Sequence, residues 1–163
     1  MSKKLTHQDE QGRVRMVDVG EKASTERQAT AGAHIAMSPA AFEAIRSGQG
    51  PKGNAIHTAE LAGIMAAKRT TSLIPLCHPL PLSSVRVSIE PDSAGTGFDI
   101  RAAVRCSGKT GVEMEALTAA SIAALTLYDM TKAIDKAMTI SRLELLKKTG
   151  GTSGDYRRKD ASR

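Results

Sequence analysis

Asp129 and Lys132 stand three positions apart in Tyr128-Asp129-Met130-Thr131-Lys132, and Glu113 and Glu115 stand two apart in Gly111-Val112-Glu113-Met114-Glu115-Ala116-Leu117. Both pairs fall on one segment whose other residues are mostly apolar: Ala116, Leu117, Ala119, Ala120, Ile122, Ala123, Ala124, Leu125 and Leu127. As a helix it reads as buried on nearly all sides, so its charges need partners or a chemical task. Asp129 and Lys132, at i, i+3, can touch. They are either a surface ion pair, worth at most about 1 kcal/mol, or an acid–base pair in which each group keeps the other charged. Glu115 and Asp129 lie within about 40° of each other around the helix but roughly 21 Å apart along it. One small substrate cannot reach both from one chain unless the helix breaks. The spacing therefore predicts two half-sites, or one site completed by a second subunit.

Cys77-His78 lies in Leu73-Ile74-Pro75-Leu76-Cys77-His78-Pro79-Leu80-Pro81-Leu82. Adjacent residues rarely chelate one ion and no second Cys/His pair follows, so zinc is disfavoured and no metal is assigned. No Asp or Asn orienter supports a Cys nucleophile. His78, framed by prolines, is either a hydrogen-bonding group for a substrate or a satisfied structural histidine. Lys148-Thr149-Gly150-Gly151-Thr152-Ser153-Gly154-Asp155 can offer backbone N–H groups to a phosphate. It is not a Walker A loop, and taken alone it reads better as a flexible tail.

The elements that must position these groups are partly marked. Residues 1–27 are polar and read as a mobile segment with a short ordered patch at Arg15–Val19. Ala29–Met37 reads as a first strand. Ser38-Pro39 starts a helix that Gly48 would end, and Gly48–Gly53 is a flexible loop carrying Lys52. A second helix follows Asn54, with Leu61, Ile64, Met65 and Lys68 on one face. Three prolines keep Leu73–Leu82 irregular.

Two alternating strands follow, Val85/Val87/Ile89 and Phe98/Ile100/Ala102/Val104/Cys106, joined by a hairpin loop. The long helix should run from about Val112 to Lys136, and a last strand from Met138 to Leu146. This order is the split βαβ, ferredoxin-like α+β arrangement, an antiparallel sheet packed against helices. A single domain over 28–148 would then precede a Gly-rich, basic tail over 149–163. Each strand keeps a polar face, so one side of the sheet is open or covered by a partner.

The 163-residue chain has 2% aromatic residues and no Trp, so its core rests on Ala, Val, Ile, Leu and Met. A net charge of +6 suits polyanions such as phosphorylated metabolites. Aromatics are too few for a base-stacking platform, which disfavours nucleic acid. The two cysteines, with no leader and no uncharged apolar run, point to the cytoplasm and away from a membrane.

Taken together, the segments resemble the molybdenum cofactor biosynthesis protein C family, the cyclic pyranopterin monophosphate synthases. The likeness runs from Leu5-Thr6-His7 and Met16–Val19 through Lys52-Gly53, Ala62–Ile64 and Ala66–Thr70. It is densest at Leu73–Leu80 and Gly108–Ser121, and continues through Tyr128–Met130, Lys132-Ala133 and Gly150–Asp155. It implies a ferredoxin-like homohexamer, a trimer of dimers with sites at the dimer interface. It implies a lyase that converts 3′,8-cyclo-7,8-dihydroguanosine 5′-triphosphate, supplied by a radical iron–sulfur enzyme, into cyclic pyranopterin monophosphate and pyrophosphate. Acid–base residues suffice for that conversion, and no redox cofactor is called for.

By position, the likeness implies a catalytic set of Asp129, Lys132, Lys52, Glu113, Glu115 and His78. Leu76, Cys77, His78, Met114 and Glu115 would line the substrate, with Arg27 and Lys68 on its triphosphate. Two positions depart from the family pattern. Thr131 stands where many members have Cys, which argues against a catalytic thiol there. Thr152 stands where many have Lys, so a phosphate contact there would move to Lys147, Lys148 or Arg157. The rival readings are a non-catalytic basic hexamer that binds nucleotide or RNA, and a metallohydrolase built on His78 and Cys77.

Overall fold

The computed structural model describes residues 11–48, 50, 52–152 and 154–159. Leu5-Thr6-His7 of the family likeness lies outside these. The chain runs β1 (Thr25–Ala36), α1 (Pro39–Arg46), α2 (Ala55–Ala67), α3 (Thr70–Leu73), β2 (Leu82–Pro91), β3 (Gly97–Gly108), α4 (Glu113–Thr131), β4 (Thr139–Thr149) and β5 (Tyr156–Arg157). The strands form one sheet in the order β2-β3-β1-β4-β5, every neighbouring pair antiparallel. β1 and β2 therefore run parallel with β3 between them, the ferredoxin-like topology that the element order predicts. α4 lies across β1, β3 and β4, and α2 packs beside it over β2.

Local signals explain most boundaries. The Ser38 hydroxyl accepts from Ala41 N as N-cap of α1, with Pro39 in the first turn, and Asn54 Oδ1 caps α2 through His57 N at 3.0 Å. The β2–β3 turn is fastened by Asp92, which accepts from Thr96 N at 2.9 Å and pairs with His34 Nε2 at 2.9 Å. α4 is shorter than the apolar pattern suggests and ends at Thr131. The Asp135 carboxylate just beyond takes the backbone N–H groups of Ala137 and Ser38, both at 2.8 Å, a local turn that competes with helix. β1 starts four residues before the expected Ala29, at Thr25, because its register with β3 continues to Gly108. β4 extends to Thr149, and the tail returns as the two-residue β5.

The core faces of the two long helices correct the expected pattern. α2 buries Ala55, Ala59, Gly63, Ala66 and Ala67 and leaves Leu61 61% and Met65 40% exposed. Small side chains win the inner face because α2 and α4 lie too close for larger ones. A Cβ on Gly63 would sit 2.9 Å from the carbonyl oxygen of Ala119. α4 is likewise not buried all round in the single chain: Ala116, Ala119, Ala120, Ala123, Ala124 and Leu127 face inward, while Leu125 is 53% exposed. Gly63→Val should therefore lower stability by about 1–3 kcal/mol through overpacking, read as an earlier urea midpoint. An unchanged midpoint would mean that the helix pair is not in this close contact.

Candidate functional site

Asp129 sits in the last turn of α4 and receives two ammonium groups. Lys132 Nζ lies 2.7 Å from Oδ1 and Lys52 Nζ 2.7 Å from Oδ2. Lys132 follows from the i, i+3 spacing. Lys52 comes from 77 residues away, on the loop before α2, where Gly53 at φ +89° turns the chain back. The side chains are each about half exposed, at 53% for Asp129, 52% for Lys132 and 47% for Lys52. Hydrogen bonds from Lys132 and Lys52 hold the Asp129 carboxyl down at about 2, and the Asp129 contact pushes Lys132 up. The free site thus keeps Asp129 ionised and Lys132 charged, a carboxylate with two cations and a net charge of about +1. Thr131 beside them is 1% exposed and packs into the core.

The other end of α4 carries a different set. Glu113 pairs with Lys148 of β4 at 2.9 Å, both about a quarter exposed. Gly111 leaves room for this, since any Cβ there would overlap the Glu113 carboxylate. Arg27 Nε and Nη2 donate to the carbonyls of Gly108 and Lys109, each at 3.2 Å. Gly150 and Gly151, at φ +90° and +84°, fold onto Glu26 and Arg27, and a Cβ on Gly151 would overlap the guanidinium. The Gly-Gly pair is therefore a fitted cover for Arg27. Lys22, Arg27, Lys109, Lys148, Glu113 and Thr152 together line a polar hollow of about 160 Å³. Thr152 brings no charge to it, and Lys148 is one of its four cations; Lys147, one residue earlier, faces the opposite side of the sheet.

Glu115 is only 3% exposed and lines a second hollow of about 440 Å³ with Lys68, Thr71, Pro79, Leu80 and Ser84. Burial, with a smaller push from Glu113, raises its carboxyl above the ordinary range. Burial, then the charge of Glu115, likewise raises the Cys77 thiol, the opposite of what a thiolate nucleophile needs. His78 lies 2.7 Å through Nε2 from the Val17 carbonyl, so that nitrogen carries the proton and Nδ1 remains to act. Lys109 Nζ donates to Gly20 O at 2.6 Å, so the segment before β1 is tied to the proline-framed loop through His78 and to the β3–α4 connection through Lys109. Met114 is 36% exposed at the start of α4, and Leu76 is half-buried. No three His, Cys, Asp or Glu side chains converge on one point among the described residues.

Seven of the predicted residues fall into two groups, while Leu76, Cys77, His78 and Met114 line neither hollow. Arg27, Lys68, Glu113 and Glu115 gather around the hollows at the N-terminal end of α4. Asp129, Lys132 and Lys52 cluster at its C-terminal end and line neither hollow. α4 is continuous between them, which keeps the two ends roughly 21 Å apart. Spacing alone gave no role to Lys22, Lys109, Thr71 or Ser84. Lys109 could have been singled out from its place in Gly108-Lys109-Thr110-Gly111, a loop that opens the helix bearing both glutamates.

A ferredoxin-like α+β chain with cationic clusters around buried and ion-paired carboxylates defines a class suited to proton transfer on an anionic substrate. Comparison with known proteins makes this specific. The family model described as the MoaC family matches residues 16–151, and the chain belongs to that family. A cyclic pyranopterin monophosphate synthase of Nostoc sp. is 60% identical over 155 residues, covering 95% of this chain and 92% of the relative. Proteins of the same name from Herpetosiphon aurantiacus and Chloroflexus aggregans are 59% and 56% identical over 152 and 158 residues. These alignments cover 93% and 97% of this chain, and 93% and 96% of those relatives.

The raised Glu115 carboxyl fixes the sign of a pH effect. A folded-state value above the unfolded one means that the native state binds more protons in between, so this residue's contribution to stability falls as pH rises through that window. Glu115→Gln should flatten this decline relative to wild type, measured by thermal melting across the pH range from 4 upward, about where free Glu titrates. Parallel profiles for the two proteins would show that Glu115 is not held in a costly environment.

Proposed function

We propose that this protein is a cyclic pyranopterin monophosphate synthase, a lyase of molybdenum cofactor biosynthesis. The observation that carries the proposal is identity of 56–60% over nearly the whole length with relatives of that name. The site's chemistry supports it. Conversion of 3′,8-cyclo-7,8-dihydroguanosine 5′-triphosphate requires the reduced ring to open and close again as a pterin. A sugar hydroxyl then attacks the α-phosphate, forming one P–O bond and breaking another to release pyrophosphate. Each step moves protons and none changes the oxidation level, so residues of this chain can serve without a redox group.

The roles follow from the charge states. Lys132, held as ammonium by Asp129, acts first as a proton donor; it becomes a base only when substrate loosens that contact. Lys52 shares the Asp129 carboxylate and adds a second cation near the reacting groups. Glu115 keeps its proton to higher pH than an ordinary carboxyl and serves as an acid at the opposite end. Glu113 positions Lys148, and His78 offers Nδ1 to the ring. Arg27, Lys148 and Lys68 stabilise the triphosphate and the leaving pyrophosphate, while Leu76, Cys77 and Met114 form the wall around the base.

A substrate spanning roughly 21 Å from one chain is too long, so the C-terminal cluster of one copy works beside the N-terminal hollows of another. The exposed Leu61, Met65 and Leu125 supply apolar surface for such pairing, and three such dimers would make the hexamer. No described helix is long and apolar enough to cross a membrane. A cytoplasmic enzyme fed by a radical iron–sulfur enzyme fits these features.

The decisive assay supplies the cyclised triphosphate and follows pyrophosphate release and the fluorescence of the oxidised pterin. Wild type should turn over. Asp129→Asn should lose at least about a hundredfold, the scale of general acid–base catalysis, while keeping its oligomeric state. A folded wild type that binds the triphosphate without releasing pyrophosphate would instead favour a nucleotide-binding module.

A further inference from the structure

The side of the sheet away from the helices carries a hollow of about 670 Å³ that no part of the proposed reaction uses. Its walls are cationic: Arg101 of β3, Lys147 of β4, and Arg157, Arg158 and Lys159 of the returning tail, with the Thr30 hydroxyl at one edge. The register brings these groups together. Thr30 pairs with Lys147, and Lys147 stands directly opposite Arg157. Like charges in opposed positions on adjacent strands repel, and a two-residue strand has little else to offset that. The acids nearby are already engaged. Asp99 takes Arg142 at 2.7 Å, and Glu144 lies 3.2 Å from Arg158 Nε. Among the described residues Arg101, Lys147, Arg157 and Lys159 have no carboxylate within ion-pair distance.

Two further features mark a built recess. Arg158 Nε is fully buried, and the Glu144 contact is too poorly aligned to count as a hydrogen bond, so a buried donor is left over. Leu146 forms an apolar floor by lying over Gly32, where a Cβ would come within 3.1 Å of Leu146 Cδ1. Charges above such a floor are less well screened than on an open surface.

We propose that this hollow is a second anion site, which takes a small oligophosphate of the pyrophosphate class. Four cations without acidic partners exceed what a single phosphate neutralises, and the volume suits a small molecule. The absence of an aromatic side chain from the lining removes the stacking contact that would select single-stranded nucleic acid. The site lies across the sheet from Arg27, Glu113 and Lys148 and does not depend on the synthase reading; only the other equivalent, expected at Arg27 and Lys148, rests on it.

Calorimetric titration of the full chain with inorganic pyrophosphate tests it. Wild type should bind two equivalents per chain. Arg101→Gln/Arg157→Gln should lose one of them, weakened at least tenfold, and Arg27→Gln/Lys148→Gln should lose the other. Arg86→Gln removes a charge from the same sheet face outside the hollow and should leave both. Lys147→Gln, a single change, gives the same reading should the double variant unfold. Unchanged titration of Arg101→Gln/Arg157→Gln and Lys147→Gln would overturn the proposal. So would equal weakening by Arg86→Gln, which would mean diffuse charge, or a short single-stranded RNA displacing pyrophosphate from this face.

Discussion

Small side chains along one face of α4 set the geometry on which the rest of the molecule depends. Ala116, Ala119, Ala120, Ala123 and Ala124 let the helix lie low on the sheet, and Gly63 lets α2 approach its backbone. Dispersion contacts at that range are individually weak and collectively large. They hold α4, unbroken from Glu113 to Thr131, against the sheet, and its helical rise keeps the groups at its two ends apart. A core of larger residues would push α4 away from α2 and the sheet and strain the packing on which that placement rests.

Electrostatics then divides the labour between the ends. At the exposed C-terminal end, two lysines converge on one carboxylate, which stays ionised under any physiological condition. At the buried N-terminal end, Glu115 has no such support, and burial pushes its carboxyl above the ordinary range. Carboxyl groups pushed in opposite directions by their surroundings are what a reaction with several proton transfers requires. Gly150-Gly151 adds a steric element by closing over Arg27, whose guanidinium is already fixed by two carbonyls.

Much of this could be read from the chain itself. The alternation at Val85–Ile89 and Phe98–Cys106 gave the hairpin, Ser38-Pro39 gave the start of α1, and the i, i+3 spacing gave the Asp129–Lys132 pair. The element order gave the ferredoxin-like topology. The inner face of α2 is not the one that the spacing of Leu61, Ile64 and Met65 marks, because the close helix contact admits only small residues such as Ala59 and Gly63. The end of α4 was overrun because Asp135 acts through a turn and through distant Ser38, which periodicity does not register. Lys52 on Asp129 is a contact across 77 residues, beyond any spacing rule. β5 is too short for a strand pattern, so the sequence marks only a basic tail and not the hollow that Arg157, Arg158 and Lys159 help to form.

Co-expression of differently tagged Asp129→Asn and Glu115→Gln chains tests the central claim, that one site draws on the opposite ends of α4 from two copies. Each variant alone should be inactive. With sites shared between copies, random pairing gives one intact site in every mixed dimer, so about a quarter of wild-type turnover should return. If the mixed oligomer forms, as shown by recovery of both tags, and remains inactive, the two ends do not meet across copies and the account fails.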